Sequence, residues 1–370
     1  MDRPTIEVYE QEGAGYAVRR GVQRPERAEA FARRVTPGGR RLDLGCGPGH
    51  YLPLLGRPAV AADAAHAMVL AAHALAPEVP AVRADLTDLP FDRGAFAGVW
   101  ASKAHQHLTA AELPLALGDV HRVLEVGGTL ELTMFATRTG APTSEEVTRA
   151  DSGDDLPGRR FTWWDPDHLA AVVAAAGFGI DALALTDRTD DDHARIELTA
   201  TARRALPDHV GAGMRLLCCG LNPSLHAADA GVGYVTGNNR FWPALAAAGL
   251  STSDRDPRRL LRHDRIGMTD LVKRATPRAD ELRRDEYRAG AERLQALCEW
   301  LRPEALAVVG LAGWRAGVDR KAQVGWQPER LGPTPVYVLP STSGLNAGTS
   351  LAQLVDHLRA AAAGPPPDGG

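Results

Sequence analysis

Twice in this chain a strand-sized apolar run stops at a turn too rich in glycine and polar groups to continue it. The first is Leu42-Asp43-Leu44, which enters Gly45-Cys46-Gly47-Pro48-Gly49. The second is Leu216-Leu217-Cys218-Cys219, which stops at Gly220 and puts Leu221, Asn222 and Pro223 at its carboxyl end. Ligands of open α/β sheets bind outside the carboxyl ends of the strands, so both turns stand where chemistry is usually done. Pro223 has no N–H and restricts Asn222 to extended backbone, which keeps that amide out of a following helix. Alone, Asn-Pro after an apolar run is an ordinary strand-to-loop turn. The segments around each turn decide.

A chain of 370 residues, 44% of them hydrophobic, has room for two packed domains. Cys46, Cys218, Cys219 and Cys298 show no C-x-x-C pairing and no zinc or iron–sulfur spacing. They read as reduced thiols, no metal site is expected, and the expected compartment is the cytoplasm. The start, Met1-Asp2-Arg3-Pro4, offers no apolar core of a secretory signal, and no run approaches a membrane span. The net charge of −4 hides an asymmetry: residues 1–210 carry 22 basic and 30 acidic side chains, residues 211–364 carry 20 and 15. A basic second half suits an anionic partner such as DNA, although a solvated Arg-rich surface gives the same count.

In the first half, 59–63 is an apolar run ending on Asp63, 82–86 a third run holding Asp85 and Leu86, and 96–102 a fourth. A helix is expected near 111–124, a strand at 129–135, a helix at 166–176 capped by Asp165 with Pro166 at its first position, and strands at 179–185 and 195–202. Strands alternating with helices predict a doubly wound parallel sheet. This succession, over about 10–205, resembles the class I S-adenosylmethionine-dependent methyltransferases. The resemblance implies that Asp43, Gly45, Gly47 and Gly49 form the cofactor loop, that Asp63 holds ribose hydroxyls, that Asp85 and Leu86 flank adenine, and that the cofactor is S-adenosylmethionine. A dinucleotide-binding domain, the rival, would want a third glycine at wider spacing. The methyl acceptor is not legible. His105 and His107 are candidate bases, though packed histidines are as common, and Trp163-Trp164 line either a pocket or the core.

Residues 206–213, Leu-Pro-Asp-His-Val-Gly-Ala-Gly, read as a linker between a domain at 1–205 and one at 214–364, with a disordered tail at 365–370. In the second half the order expected is a loop to about 237, a helix at 240–248, an irregular basic region around 255–265, a helix at 285–301, a strand at 305–310, a helix near 312–318, a strand at 336–339 and a helix at 351–362. That is a small three-layer α/β/α sandwich.

Three segments there accompany Asn222: Asn238-Asn239-Arg240-Phe241-Trp242-Pro243, the run from Gly267 to Thr276, and Leu339-Pro340-Ser341-Thr342-Ser343-Gly344-Leu345-Asn346-Ala347. In this order and spacing, over about 213–360, they resemble the mismatch-specific uracil/thymine-DNA glycosylase family. The resemblance implies that Asn222, in the loop with Gly220, Leu221 and Pro223, positions the attacking water. It implies that Tyr234 stacks on the flipped base, with a packed core tyrosine as the alternative, and that Asn239 pairs with the base or holds the pocket loop. Ser343, Gly344, Leu345 and Asn346 would enter the duplex, Leu345 as the wedge and Asn346 against the widowed guanine. The family often has Asn-Pro-Ser-Gly-Leu where this chain has Ser341-Thr342-Ser343-Gly344-Leu345, which bears on opposite-base preference. Asp270 is the nearest rival to Asn222 as the water holder, but it sits at what reads as the start of a helix, with capping as its work. The implied partner is double-stranded DNA with a mismatched or damaged base, and the implied reaction is hydrolysis of the glycosidic bond of uracil, thymine or etheno-cytosine opposite guanine. The alternative makes the methyltransferase the working enzyme and the second half a nucleic-acid docking module.

Overall fold

A strand inside a doubly wound sheet is covered on both faces, and all four residues of β1 (Arg41–Leu44), the charged Arg41 and Asp43 included, are buried. The computed structural model describes residues 2–137, 142–149, 154–186, 194–252 and 254–366, which divide into two units, Met1–Arg203 and Arg204–Gly370. Most of the expected tail lies outside the described residues.

In the first unit, α1 (Arg3–Arg19) starts where Asp2 caps the N–H of Thr5, and α2 (Pro25–Arg34) buries Ala28 and Phe31. Around β1 the chain lays down β2 (Ala59–Asp63), α3 (His66–Leu75), β3 (Ala81–Arg83), β4 (Phe96–Ser102), α4 (Leu113–Val123) and β5 (Leu124–Ala136). Then come β6 (Thr143–Val147), β7 (Arg160–Trp164), α5 (Pro166–Ala175), β8 (Phe178–Leu185) and β9 (Arg195–Ala202). The sheet order is β3-β2-β1-β4-β5-β7-β6, with β9 pairing β5 and β8. Pairing is parallel from β3 through β5 to β7, while β6, β8 and β9 join antiparallel. This is the expected doubly wound sheet. Asp165 caps α5 by accepting from the N–H groups of Asp167 and His168. The third strand stops at Arg83, so Asp85 stands in the turn beyond it, and the β6–β7 hairpin was not expected.

The second unit orders β10 (Leu216–Gly220), α6 (Leu225–Ala230), α7 (Phe241–Ala247), α8 (Pro257–Asp264) and β11 (Ile266–Asp270). It continues with α9 (Arg284–Leu301), β12 (Leu306–Val309), α10 (Leu311–Gly317), β13 (Gly325–Leu331), β14 (Thr334–Leu339) and α11 (Leu351–Ala362). The strand order is β11-β10-β12-β14-β13, all parallel except the edge strand β13. Period-two alternation splits the strands between two cores. Leu216, Cys218, Ile266, Met268, Ala307 and Leu339 pack with Phe241, Leu245, Leu260, Leu354 and Leu358 of α7, α8 and α11, while α9 and α10 cover the other face. The layers are the expected α/β/α.

Three local expectations are corrected. The basic stretch is not irregular: Asp256 caps α8, which buries Leu260 and Leu261 under its arginines. Asp270 starts no helix; it ends β11, where its backbone pairs with Gly220. Residues 206–213 pack into the second unit, with Leu206, Asp208 and Val210 buried and His209 bridged to Met268. Among the described residues, no helix is long and apolar enough to cross a membrane.

Candidate functional site

The first unit's loop is tied down from its own neighbours. The N–H groups of Gly45 and Cys46 both donate to the carbonyl of Ala62, at 2.8 and 3.0 Å. Gly45 has φ +70, and a Cβ there would overlap the side chain of Ala104, so only glycine fits. Asp63, at the end of β2, accepts from Gly47 N through Oδ2 and from Ala65 N through Oδ1, each at 2.9 Å. Asp43 Oδ2 is buried with no partner. Burial, helped by the charge of Asp63, pushes the Asp43 carboxyl up to about 8. Gly47 and Gly49, with φ +52 and +83, complete the bend. Helix α1 crosses the loop: Glu10 accepts from the first N–H groups of α3, those of His66 and Ala67, at 2.7 and 2.8 Å, and Tyr16 faces Gly47.

This setting fits a cofactor carrying an ammonium and a ribose. A buried acid without a partner, beside bare glycine backbone, is completed by a cation, and Asp63 keeps lone pairs for hydroxyl donors. Asp85 Oδ1 accepts from Thr87 N and Oγ1, both at 2.8 Å, while the Leu86 side chain belongs to the core.

The two histidines after β4 are both buried, which pushes each down to about 4 and keeps them neutral near pH 7. His107 is engaged: Nδ1 meets the carbonyl of Arg160 at 2.7 Å and Nε2 meets Tyr9 Oη at 3.0 Å. The carbonyl can only accept, so the proton sits on Nδ1 and Tyr9 donates to Nε2. Among the described residues His105 has no partner on either ring nitrogen. Trp164 is core and Trp163 half-buried.

In the second unit Asn222 follows β10 directly. Its Nδ2 lies 2.7 Å from Thr276 Oγ1, 3.1 Å from the carbonyl of Arg274 and 3.2 Å from that of Pro223. Thr276 Oγ1 spends its proton on the carbonyl of Arg278 at 2.8 Å, so it must accept from Asn222. All three partners are acceptors, which fixes the amide orientation and turns Oδ1 away from them as the open acceptor. Leu221 packs against α10 at Gly313, and Pro223 is buried.

Tyr234 has φ +57, uncommon for a side chain of its size. Its ring stacks on Phe241 with centroids 4.1 Å apart, and its hydroxyl is buried without a partner. That hydroxyl and Asp270 Oδ1 converge on Gly220, where a Cβ would collide with both. Asn239 Oδ1 accepts from Phe241 N at 3.0 Å and so holds the start of α7.

The loop at 341–349 is braced. The Asn346 amide bonds within it, donating to the carbonyl of Ser341 and to Thr349 Oγ1, at 2.8 and 3.1 Å, and accepting from Gly348 N. This engages the side chain expected to meet guanine. Ser343 Oγ accepts from Leu345 N at 3.3 Å, Gly344 lies against Asn238 with no room for a Cβ, and Leu345 is 91% exposed. Arg240 donates to the carbonyls of Ser343, Asn346 and Thr349.

Sequence reasoning missed Arg240 and Asp208 as parts of this site and set Asp270 aside as a helix cap. Asp208 accepts from Lys273 Nζ, Arg293 Nη1 and Thr269 Oγ1, at 2.6, 2.7 and 2.6 Å. Against the cost of burial, Arg293 and Lys273 hold its carboxyl below the usual range. Among the described residues Asp270 gets no such bond; burial pushes it up to about 6, against the pull of Lys273 and Arg293. One carboxylate takes both cations and leaves its neighbour poised near neutrality. The wall behind Tyr234 and Asp270 is a small cavity that Met268, His209 and Leu206 also line.

Comparison with known proteins agrees with this division. Residues 42–132 match the family model for a methyltransferase domain, and residues 207–362 match that of the uracil DNA glycosylase superfamily. The chain therefore carries a methyltransferase domain followed by a uracil-DNA-glycosylase-superfamily domain. Among solved structures, a 1,6-didemethyltoxoflavin-N1-methyltransferase from Burkholderia thailandensis is 17% identical, covering 54% of this chain and 88% of that one, with a TM-score of 0.45. A SAM-dependent methyltransferase from Methanosarcina mazei is 14% identical over 50% and 99% of the two chains, with a TM-score of 0.41. One from Mesorhizobium loti is 18% identical over 48% and 96%, with a TM-score of 0.40.

Proposed function

We propose that the second unit is a monofunctional DNA glycosylase that hydrolyses the N-glycosidic bond of uracil, thymine or etheno-cytosine opposite guanine, and that the first is an S-adenosylmethionine-dependent methyltransferase. The observation that carries the glycosylase reading is the Asn222 amide, clamped through Nδ2 by three oxygen acceptors with Oδ1 left to aim a water. Excision needs the nucleotide out of the stack. In this reading Leu345 fills the vacated step, as apolar wedges do. The flipped base stacks on Tyr234, a contact worth about 1–3 kcal/mol. An amide cannot take a proton, so Asn222 orients water and stabilises the sugar cation without ionising. The basic balance of residues 211–364 supports duplex DNA as the partner.

The test incubates the full chain with duplexes carrying G·U, G·T and etheno-cytosine and looks for alkali-labile abasic sites. Cleavage of none of them, with DNA binding that still weakens steeply as salt rises, would put the docking-module reading in front. In the first unit, Asp43 would take the cofactor ammonium and Asp63 the ribose, and the bound group would supply the methyl. His105 is the buried neutral imidazole free to face an acceptor.

A further inference from the structure

We propose that Asp270 is a second catalytic residue of the glycosylase site, taking the proton of the water that Asn222 orients; this rests on the glycosylase reading above. Asp270 and Asn222 stand at the carboxyl ends of two adjacent parallel strands, with Gly220, two residues before Asn222, paired in register to Asp270. The amides of Leu271 and Val272 donate to the carbonyls of Gly220 and Leu221, both at 2.9 Å, so the two strand ends run on together into the site. Gly220 has no side chain, and the Asp270 carboxylate fills the volume a Cβ would take. The residue is only 8% exposed, yet among the described residues nothing donates a hydrogen bond to its carboxylate. A buried acceptor left open in this way wants a polar partner that the protein itself does not supply.

The groups facing it set its basicity. Asp208 from the segment before β10 takes Lys273 from the turn after β11 and Arg293 from α9, and Arg293 also donates to the backbone carbonyl of Asp270. Tyr234 presents a hydroxyl and Cys219 of β10 a thiol, both raised by burial and so neutral. The carboxylate of Asp270 is thus ionised at neutral pH but basic enough to hold a proton transiently.

The chemistry then balances. The C1′–N bond breaks and its electron pair leaves with the base as an anion. The water oxygen bonds to C1′, and its proton passes to Asp270, which returns it to solvent. Asn222 holds the water without having to bind that proton.

The experiment is single-turnover cleavage of a labelled G·U duplex across pH by the full-length wild type, Asp270→Asn and Asp270→Glu, with binding of the same duplex measured separately. Wild type should lose rate as pH falls through about 6. Asp270→Asn should be slower by about 10²–10³-fold and flat through that range, with duplex binding kept, and Asp270→Glu should restore an acid limb. If wild type cleaves and Asp270→Asn keeps both its rate and the limb, the assignment of Asp270 is wrong. It is equally wrong if Asp270→Asn is slow but retains the limb, since the carboxylate would then be structural. A wild type that cleaves no lesion overturns the glycosylase reading, and this proposal with it.

Discussion

Arg240 Nη2 donates to the carbonyl oxygen of Asn346 at 2.7 Å, joining the first turn of α7 to the loop that carries Leu345. The same guanidinium reaches Ser343 and Thr349, so one side chain holds the loop at three carbonyls. A wedge can work only if its base does not give way. Arg240→Met should slow G·U excision by about tenfold or more, close to the effect of Leu345→Ala, because loosening a positioned group costs rate steeply. Both should change salt-dependent, non-specific duplex binding little. Single-turnover rates set beside binding isotherms check it; equal losses in binding and rate would count against the loop as a wedge.

Asn222→Ala removes the proposed water acceptor and the donor that Nδ2 presents to three oxygens. Excision should fall by about 10²–10³-fold, the usual loss for one well-placed polar group, with lesion-duplex binding nearly intact. Asn222→Asp should retain excision, but with its acid limb moved to higher pH, since two carboxylates at neighbouring strand ends resist ionising together. A pH–rate profile for each variant decides it, and a wild-type rate in Asn222→Ala would place the water elsewhere.

Cofactor binding tests the first unit. Asp63 can still accept from hydroxyls while Gly47 N and Ala65 N steady it. Asp63→Ala should weaken S-adenosylhomocysteine by at least about 1 kcal/mol. Asp43, protonated in the free protein near pH 7, should release that proton when the ammonium arrives. Calorimetry in two buffers of different ionisation enthalpy measures both, and tighter binding of NAD would overturn the cofactor assignment.

Stability should carry the mark of Asp270. Its folded pKa, about 6, lies above the ordinary carboxylate value of 3.8. Below both values the folded and unfolded chains are protonated alike and the residue costs nothing. As pH rises between them, the unfolded chain ionises first, so stability falls and stays lower above about pH 6. The cost at neutral pH is on the order of 2–3 kcal/mol. Asp270→Asn should therefore raise the unfolding temperature at about pH 7.5 and change it little at about pH 4. Scanning calorimetry of the full chain at both pH values would show the opposite order if Lys273 and Arg293 truly paired with Asp270.

The sequence exposed whatever depended on fixed spacing. Gly45 to Gly49, Asp63 and the Asn222 turn stand out because glycine and strand-end acids leave a pattern of their own. Asp270 was hidden because Thr269-Asp270-Leu271-Val272-Lys273 looks the same whether a strand ends or a helix begins; only the pairing of Ile266–Asp270 with β10 separates the two. Helix α8 was hidden by arginines outnumbering its two buried leucines. The edge strand β13 leaves three of its seven residues exposed and lacks the apolar run of an inner strand. Arg240 acts through backbone carbonyls about a hundred residues away, and carbonyls carry no sequence signal.

The burial of Asp208 also decides where the chain can be cut. A truncation beginning at residue 214, at the edge of the first apolar run, would discard the acid that occupies Lys273 and Arg293. Both cations would then turn to the remaining carboxylate beside them, that of Asp270, and draw its proton affinity down. Such a fragment could keep every motif residue and its sheet and still work at the wrong pH. The eight residues that look like a spacer belong to the second unit, and the safe place to divide the chain lies before Arg204.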